Sequence, residues 1–257
     1  MFFKKRLGWK GVLMAALFLW GCSVREGALP TGMAWHEVYE PVEDRALWDF
    51  MEAARRESEC RLGEPAVRLE GVELRYSRKR AEWRHLGVAE DFSLMEMVAG
   101  AEHGVIYLGV NGGDDRVWFL LAHEVVHLLN PVLRDWMMEG VASWFAVAFC
   151  EEQGVEVARW RHRLEREKDA YALSYRLVRD LAAIDEAAVR GLLAFAVVDE
   201  QRPNWERLDV EGWLVSMTAE RRGELLAVMA PYMESLAAAA NDEVAFTVPV
   251  ALRDGGR

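Results

Sequence analysis

His123 and His127 stand four residues apart with Glu124 beside the first of them, and this spacing constrains the fold more than any other stretch of the chain. Residues four apart share one helix face, so both imidazoles reach a single metal ion only if the segment is helical. The flanking residues agree, since Trp118, Leu120, Leu121, Val125, Val126 and Leu128 are apolar. Pro131 then ends the helix, because proline cannot continue one. Asp114 or Asp115, in the turn-forming run from Asn111, would cap its start. A second helix is expected from about Asp135, carrying Trp136, Glu139, Ala142, Ser143 and Phe145.

A hydrolytic zinc site takes three protein ligands and keeps one position open. His123, His127 and Glu139 would supply the ligands, and Glu124 would be the general base acting on a water. Eleven residues separate His127 from Glu139, enough for a helix end, a short loop and one turn. Gly140 removes a Cβ beside the third ligand, which would let the two helices approach closely. A glutamate in a first helical turn also compensates the helix dipole without binding anything.

A strand, a Gly-rich turn, H-E-x-x-H and W-x-x-E-G-x-A-x-x-F together resemble the gluzincin metallopeptidases, and among them the peptidase MA-like branch. The matching residues are His123, Glu124, His127, Trp136, Glu139, Gly140, Ala142 and Phe145, and the resemblance is firm over roughly Gly104 to Cys150. It implies an α+β, zincin-like (thermolysin-like) fold, with a small mixed α/β N-terminal lobe and an all-helical C-terminal lobe. It also implies a zinc-dependent peptidase acting on polypeptides, with Zn2+ as cofactor. Related enzymes supply an oxyanion donor from a tyrosine beyond the third ligand. Tyr171 is the match, with Tyr175 in reserve; an ordinary core tyrosine fits the same spacing. Gly100-Ala101-Glu102-His103 lacks the Met-Glu-Asn of the related aminopeptidases. Two other readings stay open: a non-catalytic zincin-scaffold lipoprotein with a binding or assembly role, and a zinc hydrolase of a cell-wall amide bond.

The first 21 residues read as a signal peptide: Lys4, Lys5 and Arg6 precede an apolar run of ten, Gly11 to Trp20, too short to span a bilayer. Leu19-Trp20-Gly21-Cys22 resembles a bacterial lipobox, with an ordinary signal peptide as the alternative. Lipidation at Cys22 would anchor the chain, and Ser23 would favour the outer membrane. Cys60 and Cys150 remain as a candidate disulfide or as two free thiols. Loss of Lys4, Lys5, Arg6 and Lys10 takes the net charge from −11 to −15. So acidic a chain is a poor nucleic-acid binder, and its membrane contact would be through the lipid alone. Oligomeric state is not legible.

The expected organisation is a signal peptide (1–21), a tether (22–34), an α/β lobe with the zinc-binding helices (35–150), a helical lobe (151–245) and a tail (246–257). Pro41 to Cys60 has helical spacing, Val67 to Tyr76 suggests a strand or hairpin arm, and Gly104 to Val110 a short strand. That last strand is a candidate edge for an added peptide. Beyond Gly154 helices are expected near 156–182, 185–198, 206–216 and 218–240, and the substrate in a cleft between the lobes. His36, His85, His103 and His162 lack ligand spacing, and the eleven tryptophans lack the period of a binding platform.

Overall fold

A computed structural model describes residues 39–77, 93–97, 103–110, 113–241 and 243–253. The signal peptide, Cys22, the tether, His36, His85 and the Gly100–Glu102 part of the aminopeptidase comparison lie outside the described residues. The architecture is mixed α+β, as expected. Four strands, β1 (Tyr39–Pro41), β2 (Gly71–Ser77), β3 (Leu94–Met97) and β4 (His103–Leu108), form a sheet in the order β1-β2-β4-β3. β2 and β4 are parallel, so β2 is joined by a crossover rather than forming a hairpin arm with its neighbour. β4 lies between β2 and β3, which corrects the expectation that it is an edge. Among the described residues the edge beside it is β3, antiparallel to β4.

Helix α1 (Arg45–Leu62) begins where Asp44 accepts a hydrogen bond from the Ala46 N–H at 2.8 Å, and it buries Leu47, Phe50, Met51 and Ala54. Helix α2 (Val117–His127) is buried at every position except Trp118. A helix that is apolar on all sides belongs in the middle of a core, and α2 touches β3, β4, α1 and the next helix. Asp114 does not cap α2. Its carboxylate accepts hydrogen bonds from the Arg116 N–H and guanidinium, closing the turn ahead of the helix. Residues Leu128 and Leu129 tighten into i−3 hydrogen bonds before Pro131, so His127 is the last helical residue.

Helix α3 (Trp136–Glu152) starts as expected at Asp135, whose Oδ1 accepts from the Met137 N–H at 2.9 Å. Beyond it lie α4 (Ala158–Arg166) and α5 (Ala170–Arg190), separated by Glu167 to Asp169 rather than fused into one helix. Asp169 caps α5 through the Ala172 N–H, and α5 breaks at Asp185, where the helical spacing also lapses in sequence. The all-helical reading of this half is corrected by a hairpin, β5 (Ala196–Asp199) and β6 (Arg202–Leu208). Local pattern did not reveal it, because β6 also answers to a distant partner: Glu206 exchanges backbone hydrogen bonds with Val132 and Arg134. Short helices α6 (Val210–Val215), α7 (Ala219–Met229), α8 (Met233–Ala239) and α9 (Val250–Arg253) follow. One continuous apolar core runs from Val42 to Leu236. Among the described residues, no helix is long and apolar enough to cross a membrane.

Candidate metal centre

His123 and His127 project from the last two turns of α2, and Glu139 from the first turn of α3. The sequence-predicted trio is brought together. His123 Nε2 lies 3.2 Å from Glu139 Oε2, His127 Nε2 lies 3.4 Å from His123 Nε2, and His127 Nε2 lies 3.6 Å from Glu139 Oε2. A tetrahedral ion about 2.0–2.1 Å from each donor requires donors roughly 3.3–3.4 Å apart. The nearly equilateral triangle therefore has the size a zinc-like ion needs. Both imidazoles are buried, and the Glu139 side chain is only 12% exposed. Buried polar atoms gathered this closely are costly unless something satisfies them.

The surroundings fix the ligands. Ser143, one turn beyond Glu139 on α3, places its hydroxyl 3.3 Å from His123 Nδ1, the outer contact that usually orients a ligating imidazole. Phe119 backs His123 with ring centroids 6.3 Å apart, and Phe119 itself stacks on Trp160 at 4.3 Å. His127 Nδ1 is buried without a hydrogen-bond partner.

Two glutamates in one site have opposite acidities. Burial pushes the Glu139 carboxyl up, but the adjacent His127 and His123 more than reverse this and hold it well below the ordinary range. The Glu124 carboxyl is pushed up to about 7, chiefly by burial, with the negative Glu139 adding to the rise and His123 opposing it. The backbone of Met95 on β3 also pulls it down, so the strand runs beside this carboxyl.

Tyr171 belongs to the same electrostatic neighbourhood. Burial first, then the charges of Glu139 and Glu124, push its phenol well above the usual range, and its ring meets Trp136 edge to face at 5.0 Å. Tyr175 lies elsewhere: burial raises it, while Arg179 and Arg161 pull it back.

Gly140 explains how Tyr171 arrives there. A Cβ on Gly140 would strike the Ser174 carbonyl and approach Val178 Cγ2 to 2.7 Å. The helix seated against Gly140 is therefore α5, which carries Tyr171, and not α2 as the sequence suggested.

Cys60 and Cys150 are both free thiols, Cys60 exposed and Cys150 buried, with burial pushing the Cys150 thiol up to about 12. The disulfide alternative is thereby excluded in this structure. His103 sits half-buried on β4, and His162 is exposed on α4.

The contact of Ser143 with His123 was not read from the sequence. Ser143 was findable, because position 143 shares a helix face with position 139.

Fold and site together define an α+β protein whose buried His123, His127 and Glu139 can hold a metal ion. No family model, no curated protein and no solved structure matches the chain.

Proposed function

We propose that this chain is a zinc-dependent metallopeptidase of the gluzincin kind, with a zincin-like fold, held in the bacterial cell envelope by a lipid on Cys22. The observation that carries the reading is the triangle of donors 3.2, 3.4 and 3.6 Å apart, with Glu124 buried at its side. His123, His127 and Glu139 would hold the ion. Bound zinc would supply Lewis acidity, making a water more acidic and polarising a scissile carbonyl.

The chain's own groups do the rest. Glu124 Oε takes a proton from the attacking water and returns it to the nitrogen of the leaving amine. Its raised affinity for a proton suits it to holding that proton between the two transfers, although a cation alongside would draw the value back down. Tyr171 keeps its hydroxyl hydrogen at neutral pH and can donate it to the oxygen that gains negative charge. Strand β3, paired only with β4 among the described residues, offers main-chain groups to an extended peptide.

The test compares wild type and Glu124→Gln, both zinc-loaded, on a mixed peptide library and on purified peptidoglycan. Glu124→Gln should keep its zinc and lose cleavage by at least roughly 100-fold. Peptide cleavage that persists without metal would refute the reading. Cleavage confined to peptidoglycan would move the substrate to a cell-wall amide.

A further inference from the structure

Arg134 lies in the connection between α2 and α3 and is held there by its backbone on both sides. Its N–H donates to the Glu206 carbonyl at 2.8 Å, and its carbonyl accepts from the Ala245 N–H at 2.9 Å. Its guanidinium stacks over Trp205, 4.8 Å from the ring centroid. Asn130 Nδ2 ties the same connection to the Glu206 carboxylate at 2.8 Å. The arginine is thus fixed before any ligand arrives.

Its charge bears on the metal centre from outside the ligand set. Glu124 and Glu139 on the two site helices, Tyr171 on α5 and Glu96 on β3 all feel it. Arg134 directly precedes Asp135, the cap of the helix whose first turn carries Glu139, and Glu243 acts on its guanidinium as well. Yet among the described residues no carboxylate comes within ion-pairing range of the half-buried guanidinium, and its neighbour is an aromatic face. A guanidinium fork that is stacked, immobilised and without a paired anion is a receptor for a planar, bidentate one.

We propose that Arg134 is the recognition residue of this site and that it binds a carboxylate of the substrate. The inference rests on the peptidase reading for its substrate class, but binding can be measured without cleavage. A carboxylate has two sources in a polypeptide, the C-terminus and an acidic side chain. Three probes separate them: N-acetyl-trialanine as the free acid, the same peptide as its C-terminal amide, and N-acetyl-Ala-Glu-Ala-amide.

Calorimetric binding to zinc-loaded Glu124→Gln protein, with and without Arg134→Ala, gives the decisive comparison. The free acid or the glutamate peptide should bind more tightly than the neutral amide. Arg134→Ala should weaken only the carboxylate-bearing probe, by roughly 10–100-fold, as for a lost hydrogen bond to a charged group. Arg134→Lys should restore part of that loss, and zinc affinity should change no more than a few-fold. Arg134→Gln, which keeps much of the stacking surface, serves as the second variant if Arg134→Ala unfolds.

Equal binding of acid, glutamate peptide and amide by the parent protein would overturn the proposal. So would a loss that falls equally on all three probes, as expected of an arginine that only balances Glu124 and Glu139. Selective carboxylate binding in a protein whose wild type cleaves nothing would uphold Arg134's role and refute the peptidase reading instead.

Discussion

Helix α3 is crossed by two helices, and the two crossings are built on opposite terms. Against α2 it presents Glu139 and Ser143, which meet His123 and His127 through nitrogen and oxygen atoms. Against α5 it presents Gly140, where the Ser174 carbonyl and Val178 fill the space a side chain would need. The first crossing gathers buried polar atoms that are expensive to keep there. The second is close packing against backbone and a valine methyl, with no slack. The difference teaches that one turn of α3 divides two duties: residues 139 and 143 serve the site, and residue 140 sets the distance to the helix that delivers Tyr171.

The widest gap should appear on removing a ligand. His127→Ala is expected to lower zinc affinity by more than roughly 100-fold, beyond the 10–100-fold typical of losing a mere outer contact. The metal-free variant should melt within a few degrees of the metal-free parent by circular dichroism. Collapse of the fold would show that the polar crossing is structural.

Gly140→Ala should act the other way round. Forcing a methyl group against the Ser174 backbone should cost about 1–3 kcal/mol, lowering the melting temperature by roughly 2–4 °C for each kcal/mol. Zinc affinity should change far less than in His127→Ala. An unchanged melting temperature would mean that α5 can move aside.

Ser143→Ala is the milder probe of the polar crossing, with an expected loss of about 10-fold in zinc affinity and little change in melting. If its effect equals that of His127→Ala, the hydroxyl is doing more than orienting an imidazole.

The probe farthest from the ligands is Asp135, which caps α3 and also accepts from the Leu208 N–H at 3.2 Å. Burial raises this carboxyl from 3.8 to about 7, against the pull of the Met137 and Leu208 N–H groups. The folded state thus binds the proton more tightly than the unfolded state. The resulting stabilisation is fully present below the ordinary value of 3.8 and is lost as pH rises to about 7. Melting curves of wild type and Asp135→Asn from pH 4 to 8 should therefore converge or cross, the wild type losing ground toward neutrality. Parallel curves would show that Asp135 does not titrate in this window.

The legible parts of the molecule were those in which chemistry and periodicity coincide within a short stretch. The triad needed only two helix turns and a break at Pro131, and the Asp135 cap is a local hydrogen bond. Strand β4 was visible, but its central place was not, because strand order depends on partners far away in sequence. The β5–β6 hairpin was hidden for the same reason: its outer strand is held by the connection at 132–134. The missing Cβ of Gly140 signals a close approach without naming the neighbour, which is α5 rather than α2. Arg134 carried no motif at all, and the partners that hold its backbone, Glu206 and Ala245, are far away in sequence.

The central claim is that two imidazoles and one carboxylate hold a single ion where α2 and α3 cross. X-ray absorption spectroscopy of the zinc-loaded chain tests it most directly. The expected first shell is two imidazole nitrogens and one carboxylate oxygen at about 2.0–2.2 Å plus one solvent oxygen, losing one imidazole in His127→Ala. A shell made only of oxygens, or one that His127→Ala leaves unchanged, would contradict it.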